Sequence, residues 1–339
     1  MRLIIGVLIF LISYSCQTET THKTDNNNEL KTTIDSIISN NEFNGVIVIA
    51  KDTLLLYSKI IGYSDFENET KIELNDQFVI GSISKQITAV LILRAYEKGS
   101  LKLEDTIDKY LTDIQQSWAK EVTIHHLLTH MHGIVALDKP LEFQQGTQFQ
   151  YSQLGYDLLA QILESVTNKS FQELSQTLFT LYNLNNTFHP ESDAYKNLVK
   201  GYVEENESLE FTPNSLRNYA AAGSFISTAE DLIKWNYLLH SNQLLKSESL
   251  ELMKTRYATR NHPIFNTIEY GYGLLFKNGE QNIQIGALGY APGFVSAAYY
   301  YPKSQLNLVV LENTARTLND FTETFKVHIE LMNLLEKEH

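Results

Sequence analysis

Residues typical of β-strands lie near both ends of this chain, whereas its long middle is patterned for helices. Segments 43–50 and 53–61 are rich in β-branched and aromatic residues, and the short connection Lys51-Asp52 between them suits a hairpin. Strand patterns return only late, at 271–276, 283–285, 294–301 and 306–311. This distribution predicts an α+β fold in which an antiparallel sheet is built from both chain ends and flanked by helices.

The middle of the chain is predicted to be a mostly helical inserted subdomain, covering about residues 82–270. A cleft between this insertion and the sheet edge is a natural place for a site. Apolar residues recur at helical spacing in five segments of the insertion, and a further helix closes the chain: 82–97, 123–129, 155–167, 171–182 and 228–239, then 318–335.

The first 16 residues are typical of an export signal. Met1-Arg2 precedes an apolar run, 3–12, which is too short to span a bilayer and suits a signal peptide. The run ends at Ser13-Tyr14-Ser15-Cys16, which resembles a bacterial lipobox, so Cys16 is expected to be lipidated after cleavage. The alternative is an ordinary signal peptide cut nearby, with Cys16 incidental. Both alternatives predict an exported protein, periplasmic or a lipoprotein of the bacterial cell envelope.

Residues 17–29 are predicted to be a flexible tether, because they are polar and have no apolar face to bury. The folded domain is expected to cover 30–339 and to open with an amphipathic helix that includes Leu30 and Ile34. Cys16 is the only cysteine, so no intramolecular disulfide is expected.

The charge balance limits the partners. The chain has 27 basic and 40 acidic residues, a net charge of -13, and such a surface repels phosphate backbones. Basic clusters that would bind anionic lipid are absent from the sequence. We therefore expect a small-molecule or peptide-like substrate, no nucleic acid, and membrane contact only through the lipid anchor. The oligomeric state stays open.

Ser82 and Lys85 form a candidate nucleophile–base pair at the start of the helix 82–97. Residues three apart share one face of a helix, so the two side chains are expected to be neighbours. The helix N-terminus favours negative charge and disfavours a charged lysine, and a lysine close to neutrality can act as a base. The tetrapeptide alone is weak evidence, because Ser117 and Lys120 have the same spacing and are interpreted as surface residues.

Longer segments resemble one family. Residues 78–86, Phe-Val-Ile-Gly-Ser-Ile-Ser-Lys-Gln, resemble the nucleophile motif of class C β-lactamases and D-alanyl-D-alanine carboxypeptidases. That family also includes penicillin-binding proteins, esterases and aminopeptidases. Residues 43–46, 122–130 and 222–232 resemble further family elements, in order, over about 43–301. The resemblance implies a β-lactamase/transpeptidase-like fold and a serine hydrolase that needs no cofactor.

The second family motif is Tyr-x-Asn. Tyr151-Ser152-Gln153 resembles it, and Tyr151 is preferred over the strict match at Tyr195-Lys196-Asn197 because a Gly-Tyr and an amphipathic helix follow it. The resemblance implies that Tyr151 and Lys85 share the proton-transfer role. Gln153 departs from asparagine by one methylene, which puts its contact with a substrate amide in doubt.

The third family motif, Lys/His-x-Gly, falls at Ala287-Leu288-Gly289. The resemblance implies substrate binding along this segment, but Ala287 replaces the basic residue that helps to bind a substrate carboxylate. This change argues against β-lactams and against peptides with a free C-terminal carboxylate. The resemblance also implies an oxyanion hole made by the backbone N–H groups of Ser82 and Tyr290, which side-chain changes do not remove.

His126, His130 and His132 raise the alternative of a metal site. Two histidines four residues apart suit a zinc helix, but Leu127 stands where a metalloprotease needs glutamate. The family resemblance makes these histidines structural, and we expect no metal.

The sequence thus predicts a serine hydrolase that acts through an acyl-enzyme on an ester or peptide-like amide, as an esterase or peptidase and not a true β-lactamase. Two alternatives stay open: a D-alanyl-D-alanine carboxypeptidase or β-lactamase, and a catalytically degenerate, penicillin-binding-like binding protein.

Overall fold

The computed structural model describes residues 18–214, 218–277 and 284–337. The expected signal segment 1–16 with Cys16, residue 17 of the expected tether and Ile283 of the predicted strand 283–285 lie outside the described residues. The chain divides into two compact units, Met1–Glu42 and Phe43–His339.

The first unit contains helix α1 (Thr18–Ser39), which corrects residues 18–29 of the predicted flexible tether, 17–29. No glycine or proline interrupts residues 18–39. Adding a residue to an existing helix gains one hydrogen bond per residue, so the helix extends through the polar stretch. In the part of the chain that the structure describes, no helix is both long and apolar enough to cross a bilayer.

The second unit contains the sheets and the remaining helices. Its strands, in chain order, are β1 (Gly45–Lys51), β2 (Leu54–Ile61), β3 (Tyr63–Asp65), β4 (Thr70–Lys71), β5 (Phe78–Val79), β6 (Tyr202–Glu205), β7 (Ser208–Phe211), β8 (Ile226–Ser227), β9 (Ala258–His262), β10 (Asn266–Tyr270), β11 (Leu275–Lys277), β12 (Ile285–Ala291), β13 (Phe294–Tyr301), β14 (Leu306–Glu312) and β15 (Thr314–Ala315).

One large antiparallel sheet joins the two chain ends, as predicted. Within the described residues it has eight strands in the order β2-β1-β14-β13-β12-β11-β10-β9. Strand β1 pairs with β14 from Gly45–Glu312 to Lys51–Leu306. Every residue of β14 is buried, which explains the uninterrupted apolar run at 308–311. Smaller sheets are β15-β6-β7, β3-β4 and β5-β8.

The middle of the chain is helix-rich, as predicted, although some boundaries differ. The helix expected over 82–97 begins with a 3₁₀ turn, Gly81–Ile83. The helix expected over 318–335 is divided at Phe325, and α7 was not predicted. The remaining helices are α2 (Ser84–Glu97), α3 (Ile124–Leu128), α4 (Gln153–Thr167), α5 (Phe171–Leu181), α6 (Ala229–His240), α7 (Ser247–Lys254), α8 (Phe321–Thr324) and α9 (Lys326–Lys337).

The strand predicted at 271–276 is wrong in its first four residues. Residues 271–274 form a turn in which Gly273 has a φ of 70°, and β11 begins only at Leu275. The hairpin of β9 and β10 was not predicted, because 259–262 is Thr-Arg-Asn-His and has no alternation of apolar and polar residues. This hairpin forms one edge of the large sheet.

Glu312 is a buried carboxyl group at the end of β14, opposite Gly45 on one side and Val295 on the other. The hydroxyl of Thr314 donates to its Oε1 at 2.8 Å. Burial raises the pKa of Glu312 to about 8, and the Thr314 hydrogen bond opposes that shift only in part. The carboxyl therefore keeps its proton in the folded protein at neutral pH.

The Glu312→Gln variant should change how stability depends on pH. A glutamate in the unfolded chain has a pKa of about 4.3, so between about pH 4.3 and 8 the folded state holds the extra proton. The stability contribution of Glu312 therefore falls as the pH rises through this window. We expect the free energy of unfolding of the variant, relative to that of the wild type, to increase by about 1–3 kcal/mol between pH 5 and 8. Urea unfolding at a series of pH values measures this difference. A difference that does not change with pH would contradict the buried, protonated carboxyl.

Candidate active site

The turn that carries Ser82 is fixed on both sides by neighbouring backbone. Strand β5 pairs with β8, and beyond this pair the N–H of Ile80 donates to the carbonyl of Phe225 at 2.9 Å. The N–H of Phe225 donates in return to the hydroxyl of Ser84 at 3.2 Å. The hydroxyl of Ser296 on β13 donates to the carbonyl of Ile80 at 2.9 Å. These bonds hold the Ser82 turn against the sheet.

Gly81 lets the Ser82 turn approach β12 closely. Its φ of 53° lies in the left-handed region, and a Cβ at this position would stand 2.5 Å from the backbone nitrogen of Tyr290. Only glycine combines that conformation with that approach at little cost. The backbone N–H groups of Ser82 and Tyr290, the predicted oxyanion donors, therefore belong to two segments in direct contact.

The structure brings Ser82, Lys85 and Tyr151 together. The Nζ of Lys85 lies 3.3 Å from the Oγ of Ser82, and the Tyr151 hydroxyl donates to the same Oγ at 2.6 Å. The Lys85 Nζ also lies 4.6 Å from the centre of the Tyr151 ring. The serine hydroxyl thus contacts both groups that were expected to exchange its proton.

Lys85 is buried among neutral acceptors. Its side chain is 1% exposed, and Nζ donates to Gln153 Oε1 at 2.8 Å and to the Ala222 carbonyl at 2.5 Å. Burial lowers the pKa of Lys85, while the nearby Tyr151 opposes the shift. Burial also raises the pKa of Asp157 to about 6, against the charge of Lys85. The environment of Lys85 therefore favours its neutral, basic form more than water does.

Gln153 is the first residue of α4, and its amide oxygen faces Lys85. The sequence left the contact of Gln153 with a substrate amide in doubt. In the structure its amide oxygen accepts a hydrogen bond from Lys85. The hydroxyl of Ser152 caps α4 by accepting from the N–H of Gly155 at 3.2 Å. The position of the Tyr151-Ser152-Gln153 motif is thus fixed by the N-terminus of α4.

The His130 ring packs against the Tyr151 ring. The two ring centres are 4.6 Å apart. The His130 Nδ1 accepts from the N–H of Ser152 at 3.2 Å, which leaves Nε2 to carry the proton toward the Tyr270 hydroxyl, 3.2 Å away. Burial, and next the charge of Lys85, hold the pKa of His130 well below its usual value. A neutral His130 therefore positions Tyr151, a role that the sequence did not reveal.

The other two histidines also bind backbone. The Nδ1 of His126 accepts from the N–H of Thr123 at 3.1 Å, and the Nδ1 of His132 accepts from the N–H of Ile134 at 2.9 Å. Among the described residues, no three His, Cys, Asp or Glu side chains are arranged to hold a metal ion.

The third-motif segment lies on β12 beside Ser82. A Cβ on Gly289 would stand 2.2 Å from the Ile80 carbonyl, so this glycine also allows the close approach. Ala287, Leu288 and Tyr290 line a cavity of about 230 Å³ together with Ser82, Lys85 and Tyr151. Arg260 from β9 lines the same cavity and was not predicted, because its hairpin gave no strand pattern.

The competing motifs lie elsewhere. Ser117 and Lys120 are both exposed on a 3₁₀ turn, and neither lines the cavity that contains Ser82. The Tyr195 hydroxyl donates to the Pro190 carbonyl at 3.3 Å and also lies outside that cavity.

Comparison with known protein families agrees with this geometry. The family described as Beta-lactamase matches residues 32–331. The chain belongs to the Beta-lactamase family. This membership confirms the predicted fold and the predicted serine hydrolase.

Named relatives of this Beta-lactamase family member include hydrolases. The chain is 27% identical over 290 residues to a teichoic acid D-alanine hydrolase of Staphylococcus aureus, and the match covers 80% of this chain and 70% of the relative. A solved octameric penicillin-binding protein homologue from Pyrococcus abyssi is 26% identical with a TM-score of 0.75, covering 92% and 78% of the two chains. A D-amino acid amidase from Ochrobactrum anthropi shares the fold at 18% identity and a TM-score of 0.77, covering 93% and 99%.

Replacing Gly81 by alanine should be more harmful than the same change at Gly99. Both glycines have left-handed φ angles, 53° and 73°, but a Cβ on Gly99 meets nothing within 4 Å. Gly99→Ala should lower the free energy of unfolding by about 1 kcal/mol, from backbone conformation alone. Gly81→Ala should cost about 1–3 kcal/mol more, because the turn must move away from Tyr290. Urea unfolding measures both, and equal losses would contradict the close approach.

Proposed function

We propose that this enzyme hydrolyses an ester or a peptide-like amide through an acyl-enzyme formed on Ser82. The main support for this proposal is that the Ser82 hydroxyl contacts both the buried Lys85 amine and the Tyr151 phenol. A serine needs a base to become a nucleophile, and among the described residues these two groups form hydrogen bonds with its hydroxyl.

In the acylation step, the Ser82 oxygen bonds to the substrate carbonyl carbon while its proton passes to the Lys85–Tyr151 pair. The backbone N–H groups of Ser82 and Tyr290 stabilise the oxyanion that forms. The intermediate collapses as the bond to the leaving group breaks, and Tyr151 returns the proton to that group. Water then attacks the acyl-enzyme, giving its proton to the same pair, and Ser82 recovers its proton when the acid leaves.

The substrate proposed is an ester or amide whose acyl group is of amino-acid size. The relatives named for D-alanine and for D-amino acids support an acyl group of this kind. Ala287, in place of a basic residue, favours an esterase or aminopeptidase over a D-alanyl-D-alanine carboxypeptidase or a β-lactamase.

The alternative function is that of a non-catalytic binding protein. It is suggested by Ala287 and Gln153, which both depart from the family motifs. The arrangement around Ser82 argues against a binding protein. Burying an amine costs free energy, and a site that only binds a ligand does not require a buried amine in contact with a serine hydroxyl. Gln153 also provides a neutral acceptor for Lys85.

Export of the enzyme, with a lipid anchor at Cys16, is part of the proposal. The apolar run 3–12 and the lipobox-like Ser13-Tyr14-Ser15-Cys16 support it. The relative named for teichoic acid, a polymer of the cell envelope, supports a site of action outside the cytoplasm.

Labelling by a serine-reactive fluorophosphonate should depend on Ser82 and not on Ser117. The chain offers this matched control because Ser117 and Lys120 repeat the spacing of Ser82 and Lys85 on an exposed turn. Ser82→Ala should abolish labelling, and Lys85→Met should lower its rate by about a hundredfold or more. Ser117→Ala and Lys120→Met should label like the wild type. Equal labelling of Ser82→Ala and wild type would rule out the proposed nucleophile.

The labelling rate should rise with pH and level off below the ordinary lysine pKa. Burial lowers the pKa of Lys85, so its neutral form accumulates before about pH 10.4, the value for an exposed lysine. Rates measured from pH 5 to 10 test this, and in Lys85→Met this rise should be absent. A wild-type rate that still rises at the highest pH, without a plateau, would contradict a lysine base of lowered pKa.

A further inference from the structure

Arg260 is a cation in the catalytic cavity that the steps at Ser82 do not use. It lies on β9, at the edge of the large sheet, and its half-buried side chain lines the cavity with Ser82 and Ala287. An arginine is always charged and offers five N–H donors in one plane.

Two aromatic rings lie close to the Arg260 guanidinium. Its Cζ lies 5.2 Å from the ring centre of Tyr151 and 5.3 Å from that of Phe149. No carboxylate or carbonyl among the described residues pairs with it, whereas Arg256, four residues earlier, forms an ion pair with Glu269. Contact with an aromatic ring does not use up the N–H donors of a guanidinium, so those of Arg260 are available to a ligand.

No described residue that lines the cavity is aspartate or glutamate. The lining includes Arg260, which is permanently charged, and Lys85, whose burial favours the neutral amine. The chain as a whole, in contrast, has a net charge of -13. A cleft that holds a cation and no carboxylate concentrates anionic ligands, and a half-buried cation with no carboxylate beside it gains most from a bound anion.

We propose that Arg260 binds an anionic oxyacid group of the substrate, a carboxylate or a phosphate, and so provides from β9 the cation that position 287 lacks. This inference rests on the proposed function, since it concerns the substrate of the same Ser82 site. It also narrows the range of substrates, because they should carry an anionic group. That group would be bound from β9 by Arg260, and not from β12, where Ala287 stands. Both oxyacid groups match the fork of an arginine, which binds them through two parallel hydrogen bonds.

Three acetate esters that share one acyl group test the inference. They are 3-acetoxybenzoate, its neutral methyl ester, and 3-acetoxyphenyl phosphate, and the phenol released from each is quantified by chromatography. The wild type should show a higher kcat/KM for at least one anionic ester than for the methyl ester, and the preferred anion identifies the group bound. Arg260→Gln should lower that preference about tenfold or more, as expected for loss of a charged hydrogen-bonding partner.

Control variants separate anion binding from a structural effect. Arg260→Lys keeps the charge without the fork and should retain part of the preference. Arg256→Gln removes the same charge outside the cavity and should keep the wild-type preference. If Arg260→Gln lowers all three kcat/KM values equally, or if the wild type prefers the methyl ester, the inference is wrong while Ser82-dependent hydrolysis stands. If wild-type enzyme cleaves none of the three esters and resists fluorophosphonate, the proposed function itself fails.

Discussion

The site depends on one buried interaction, the contact of the Lys85 amine with the hydroxyl of Ser82. An amine in this position is costly unless neighbours accept its hydrogen bonds, and here Gln153 and the Ala222 carbonyl do so without adding negative charge. The lysine is therefore held in place while its pKa is lowered. Much of the surrounding architecture serves to place those acceptors.

Three separate parts of the fold meet at this contact. The β5–β8 pair fixes the turn before α2, and β12 approaches that turn because Gly81 and Gly289 leave room for it. The start of α4 supplies Tyr151, whose ring rests on the neutral His130. The β9 edge contributes Arg260, which lies close to the Tyr151 ring, so the cavity has a nucleophile, a proton path and an anion-binding cation on different elements.

The sequence predicted those parts that depend on local spacing. Ser82 and Lys85 are one helical turn apart, and the strand 294–301 has the bounds that its β-branched and aromatic residues indicate. Arg260 could not be predicted, because its strand has no apolar pattern and its approach to Tyr151 depends on the order of eight strands. The polar segment 18–29 was assigned wrongly for a different reason: composition alone does not show how far a helix extends once it has started.

In the proposed reaction, Ser82 carries the acyl group during turnover. The most direct test of this role is mass spectrometry of the enzyme quenched with acid during hydrolysis of the methyl ester of 3-acetoxybenzoate, followed by peptide mapping. We expect one acetyl group on the peptide that contains Ser82, lost again when the substrate is exhausted and missing in Lys85→Met. Acetylation of another residue, or turnover by Ser82→Ala at the wild-type rate, would contradict this role of Ser82.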